Sequence, residues 1–125
     1  KDRVEDAIYA TKAALQEGIV PGGGVALLNA SQEISTGQAG KVLLNALSSP
    51  FKTILDNAGL EQIGPRPIKG LGVDVTTSEE VNMIKSGIVD PVLVTKSALK
   101  NAVSVALTIM SADCVISNIR INESN

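Results

Sequence analysis

The sequence predicts a mostly α-helical fold with short β elements and a terminal strand. Three observations carry that expectation. Apolar residues recur at helical spacing in most segments. Gly and Pro fall mostly at the boundaries of those segments. Aromatic residues make up only 2% of the chain, so the core must come from Ala, Val, Ile and Leu, which suits close-packed helices better than a sandwich.

Each element follows from local pattern. In Asp2 to Glu17, Val4, Ile8, Thr11 and Leu15 form one stripe with Ala7 and Ala14 beside it, which predicts a helix. Asp2 and Glu5 have the spacing of a capping box, and Gly18 is placed as the stop. Ile19-Val20-Pro21 is short and extended, and the glycines 22–24 lead into a second helix, Val25 to Ile34. Gln38 to Leu47 is a third. A fourth starts at Ser48 or Ser49 with Pro50 in its first turn, and ends at Gly59. Leu60 to Leu71 is a loop, and Val73-Asp74-Val75 is strand-like. Thr77 and Glu80 form a second capping box, which predicts a helix ending at Gly87. Asp90-Pro91 opens the last and longest helix, to about Met110, whose broad apolar face marks it as central. Val115 to Ile121 alternates and predicts a strand with no obvious partner in the chain.

At 125 residues the chain is long enough for one compact core. Its net charge of -2 and lack of a basic cluster argue against nucleic acid as a partner. The absence of His removes Ser-His and Cys-His catalysis and the usual transition-metal sites. The single Cys, Cys114, cannot form an internal disulfide and reads as a free, buried thiol. No uninterrupted apolar run approaches the ~20 residues that span a bilayer, so no membrane is expected as a partner.

Few residues could carry chemistry. Glu5 and Asp6 lie about 100° apart on a helix, so only one can face a given ligand; on their own they read as a solvated first turn. Pro21-Gly22-Gly23-Gly24 needs bare backbone, either for an anion or sugar approaching a helix N-terminus or for a tight turn with close helix packing. No Gly-Lys-Ser/Thr follows, so this is not a Walker A loop. Asp90 is either an N-cap or a carboxylate accepting from ribose hydroxyls, and local chemistry favours the cap. Asp74 has the same two readings. Arg66 and Lys69 read as solvated charges.

The order and spacing of five blocks resembles the group I chaperonins (the GroEL family). They are Arg3-Val4-Glu5-Asp6-Ala7, the run from Glu17 through Gly22-Gly23-Gly24 to Leu27, Asn82-Met83-Ile84, Gly87-Ile88-Val89-Asp90-Pro91, and Val94-Thr95-Lys96-Ser97-Ala98-Leu99. The resemblance implies that residues 1–16 form the last helix of an intermediate domain. It implies that residues 17–125 form the C-terminal half of an equatorial domain, which binds ATP and makes ring contacts. Gly18 then lies near the hinge. Asp6 matches a carboxylate that swings onto the nucleotide and helps activate the attacking water. Asp90 matches the residue that holds the ribose, and Ile88 lies in the same string. Gly22 and Gly23 match glycines on the sugar side, and Asp74, Val75 and Thr76 match the segment beside adenine. Val75-Thr76 is bulkier than the small pair expected there.

The resemblance further implies ATP and Mg²⁺ as cofactors, with no metal ligands assigned in this chain. It implies a homo-oligomeric sevenfold, double ring, a GroES-type co-chaperonin, and unfolded protein clients. The setting it implies is the bacterial cytoplasm or an organelle matrix. The family's Gly-Asp-Gly-Thr-Thr phosphate loop is not among these residues, so the expectation is a C-terminal piece that is inactive by itself. A competing expectation is a truncated, stand-alone helical interaction module without ATPase activity.

Overall fold

The computed structural model describes residues 2–34, 37–60, 68–114 and 116. In chain order the elements are α1 (Asp2–Glu17), β1 (Ile19–Pro21), α2 (Val25–Glu33), α3 (Gln38–Leu47), α4 (Ser49–Asn57), β2 (Leu71–Asp74), β3 (Glu79–Asn82), β4 (Val89–Pro91) and α5 (Val92–Met110). The fold is therefore mostly helical, with two small antiparallel ribbons. The expected strand at 115–121 and most of the expected 60–71 loop lie outside the described residues.

The core is small and is shared by helices and hairpin. Val25 and Leu28 of α2, Phe51 and Leu55 of α4, Val73 of β2 and Met83 form one buried cluster. Leu60, Val81 and Ile88 pack against its edge. The glycine turn exists partly for this packing. Gly24 adopts φ 76°, and a Cβ there would lie 2.6 Å from the Phe51 backbone nitrogen. A side chain would therefore be strained at residue 24 and would also push α4 away from α2.

β1 pairs with β4, placing Ile19 opposite Pro91, Val20 opposite Asp90 and Pro21 opposite Val89. Both prolines sit at ends of this short ribbon, where a missing N–H costs little. β2 pairs with β3, from Leu71 opposite Asn82 to Asp74 opposite Glu79.

That second hairpin corrects the helix expected over 77–87. The competing interaction is a local one. The Asp74 carboxylate accepts hydrogen bonds from the Thr76 N–H and hydroxyl, while the Asp74 carbonyl accepts from the Ser78 N–H at 2.7 Å. Ser78 then takes φ 60°, a left-handed conformation that no helix through Thr77 and Glu80 could contain. Beyond β3, residues 83–87 are turns. The Asn82 side-chain oxygen accepts from the Lys85 N–H at 3.0 Å, and Gly87 has φ 75°.

Two expectations about α5 also change. Its N-cap is Pro91, with no side-chain cap bond, and not Asp90. Asp90 is drawn into the β1–β4 ribbon, one residue too early to cap. The Val92 N–H instead donates to the Gly18 carbonyl at 3.1 Å. Nor is α5 central among the described residues, since none of its side chains is buried. Only α1 and β4 lie along it to any extent. Val105, Leu107 and Met110 are at least 60% exposed. By length and composition, its 19 residues with mean hydropathy 1.3 could cross a bilayer, although Ser, Thr, Asn and Lys interrupt the apolar run. A helix of this composition equally suits burial on several sides.

α1 is lightly held. Ala13 is its one buried residue. Its end is tied to α5 by Glu17 and Lys96, whose charged atoms are 2.7 Å apart and largely solvated. Gly18 follows with φ 84° and open space around it.

Two predictions follow from this packing. Gly24→Ala adds left-handed strain, about 1–2 kcal/mol, to an overpacking cost of about 1–3 kcal/mol. Gly18→Ala carries the strain alone. Urea unfolding should show the larger loss for Gly24→Ala, and equal losses would contradict the close approach of α2 and α4. A double-mutant cycle of Glu17→Gln with Lys96→Met should give a coupling of about 0.2–1 kcal/mol that fades in 1 M salt.

Candidate functional site

The β1–β4 ribbon gathers four of the residues singled out by sequence. Val20 lies opposite Asp90, and the next step of the ribbon is the Gly22 N–H donating to the Ile88 carbonyl at 3.0 Å. Gly22, Gly23, Ile88 and Asp90 therefore sit along one short stretch of paired backbone. Gly22 is tightly enclosed, since a Cβ there would lie 3.2 Å from the backbone of Ile88 and Val89. Gly23 takes φ 63°, and a Cβ on it would meet the Met83 side chain at 2.9 Å. The N–H groups of Gly23 and Gly24 donate to no backbone carbonyl among the described residues. Among the described residues they are unused donors at the start of α2.

Asp90 presents an acceptor to this turn. Its carboxylate makes no hydrogen bond or ion pair among the described residues. The protein around it raises its pKa above the ordinary value of 3.8, and desolvation is the cause. A carboxylate in that condition gains from any donor that arrives, and two neighbouring hydroxyls can occupy both of its oxygens.

Asp74 is in the opposite condition. It lies at the turn end of the β2–β3 hairpin, opposite Glu79 and about 13 Å of strand from Met83. The Thr76 hydroxyl chiefly, and the Thr76 N–H next, hold its pKa below 3.8, while burial opposes them. Its carboxylate is thus already used in shaping the turn. Val75 is exposed at the tip. Asp74, Val75 and Thr76 form one local cluster, separate from the ribbon.

Asp6 is not brought to either group. It lies exposed on α1, about 16 Å along the helix axis before Glu17. Lys69, expected to be solvated, is indeed exposed, but it pairs with Glu33 at 2.8 Å, which raises its pKa. Arg66 lies outside the described residues. Cys114, expected to be a buried thiol, is free but exposed, because it follows the end of α5 and lies outside the core.

Met83 is the residue that sequence reasoning undervalued. It is 1% exposed. Its N–H donates to the Gly70 carbonyl at 3.0 Å and its carbonyl accepts from the Ile88 N–H at 2.8 Å. It therefore joins the hairpin, the glycine turn and the entry to β4. Its place in the Asn82-Met83-Ile84 block was the available signal. The Glu17–Lys96 pair, 79 residues apart in sequence, had none.

The donor set suits the nucleoside side of a nucleotide. It offers an unpartnered carboxylate, a bare turn and two unused amides. Among the described residues no group of three or more His, Cys, Asp or Glu could hold a metal ion.

Comparison with known proteins places these features in a wider frame. The model of the TCP-1/cpn60 chaperonin family matches residues 1–120. Among solved structures, a group III chaperonin in the open state is similar at 30% sequence identity, with a TM-score of 0.72. The similarity covers 83% of this chain and 25% of that one. The chain thus spans about a quarter of the length of that relative.

The Asp90 and Asp74 carboxylates should titrate on opposite sides of 3.8. Carbon-detected NMR should place Asp90 above that value and Asp74 below it. Thr76→Val should move Asp74 back upward and leave Asp90 in place. The stability effects have opposite signs. Raised Asp90 favours the protonated folded state, so its contribution declines as pH rises from 3.8 through its folded value. Depressed Asp74 contributes above 3.8 and loses that contribution as pH falls through its folded value. A shared direction for the two shifts would contradict the hydrogen-bond arrangement described.

Proposed function

The chain belongs to the TCP-1/cpn60 chaperonin family, and from that premise we propose that it forms part of an ATP-dependent protein-folding subunit of the group I type. In this reading it supplies the nucleoside side of the ATP site and the carboxylate that promotes hydrolysis. Residues 1–16 are the end of an intermediate domain, and residues 17–125 are the C-terminal half of an equatorial domain. The observation that carries the reading is the β1–β4 ribbon. It sets an unpartnered, partly desolvated Asp90 beside a bare glycine turn, and the same ribbon is joined through Gly18 to the helix that bears Asp6.

The chemistry divides among these residues. The Asp90 carboxylate accepts hydrogen bonds from the two ribose hydroxyls. Gly22 and Gly23 let the sugar approach the backbone closely, and Ile88 closes that side. Asp74, Val75 and Thr76 flank the base. With its carboxylate bound into its own turn, Asp74 acts there through backbone and shape. Asp6 acts from a distance. Swinging about Gly18, α1 carries its carboxylate to the attacking water, where an Asp6 oxygen accepts the water proton. A bound nucleotide with Mg²⁺ would supply the phosphoryl group and its charge neutralisation, and phosphoryl transfer asks the protein mainly for positioning. The metal ligands come from outside these 125 residues.

Such a subunit works in a homo-oligomeric ring, with sevenfold symmetry and two rings in the group I pattern. Its partners are a GroES-type co-chaperonin and unfolded clients. Its compartment is the bacterial cytoplasm or an organelle matrix. The competing reading, a stand-alone interaction module without ATPase activity, draws on the open apolar face of α5. Coding DNA upstream separates the two. A frame continuing into a Gly-Asp-Gly-Thr-Thr loop supports the ATPase, and a start codon immediately before Lys1 supports the module.

In a full-length ring, Asp6→Ala should lower kcat for ATP by about 10²–10⁴-fold, the range for a lost general base. Nucleotide affinity should stay near wild type. Asp90→Ala should weaken nucleotide binding, measured by calorimetry. Unchanged turnover in Asp6→Ala would overturn its role, and unchanged affinity in Asp90→Ala would overturn the ribose contact. The 125-residue chain alone should show no magnesium-dependent turnover. Turnover lost on Asp6→Ala in that chain would overturn the division of the site.

A further inference from the structure

No further inference is drawn: the strongest candidate, the apolar groove between α3, the start of α4 and the Ala98, Ala102 and Ala106 face of α5, carries nothing because nothing in the structure shows what covers it.

Discussion

The packing of Met83 against glycine is the constraint on which the other features depend. Its thioether lies where side chains on Gly72 and Gly23 would otherwise be. Its backbone holds Gly70 on one side and Ile88 on the other. Methionine suits this position because an unbranched, polarizable chain fills an irregular gap between backbones. The hairpin, the glycine turn and the β1–β4 ribbon are thereby fixed to one another through a single buried side chain. The candidate site inherits its geometry from that contact. Asp90 stands opposite Val20 because β4 begins immediately after Ile88, and Ile88 is where Met83 holds it.

The glycine turn shows that packing and binding need not compete for the same residues. Gly24 is required by α4, and Gly22 by the Ile88–Val89 backbone, whatever else approaches them. The same absence of side chains leaves the N–H groups of Gly23 and Gly24 uncovered at the start of α2. The sequence posed these as alternatives. The structure satisfies the packing reason outright and keeps the other chemically open. α5 differs, because none of its residues is buried among the described ones. Its alanines permit close approach of another backbone, while Val94, Val105 and Leu107 stay exposed, a state unfavourable by about 25 cal/mol for each Å² of apolar area left uncovered.

Much of the fold was legible in the sequence where local signals were unopposed. α1, α2, α3 and α4 follow from apolar spacing and from Gly and Pro at their ends, and the extended piece at 19–21 follows from composition; the piece expected at 73–75 runs from Leu71 to Asp74, with Val75 in the turn. The failures have two causes, one local and one not. At Thr77 a helix-start pattern met a stronger local bond from Asp74, and the burial of Gly72 and Val73 favoured a strand. At Asp90 a cap pattern met a ribbon partner, Val20, that lies 70 residues away in sequence. Non-local pairing cannot be seen from a window of neighbouring residues. The site was legible only in part for the same reason. Residue types and spacing marked Gly22, Gly23 and Asp90 as candidates, but only the ribbon shows that they share one stretch of backbone with Ile88.

The placement of Asp6 follows from how α1 is attached. In the proposed reading, the Asp6 carboxylate is needed at the nucleotide only during hydrolysis, so it has to ride on something that moves. α1 has the properties such a carrier needs. It buries one alanine, ends in an exposed ion pair and joins the ribbon at a glycine with free space around it. Each of these ties is weak, and an exposed pair of that kind contributes at most about 1 kcal/mol. A helix docked through a broad apolar stripe would resist such a swing by several times as much, because each large side chain withdrawn from the core costs about 1.5–3 kcal/mol. Asp90, by contrast, is held between paired strands. In that reading Asp90 is fixed and Asp6 is carried. That asymmetry is what coupling hydrolysis to a domain movement requires.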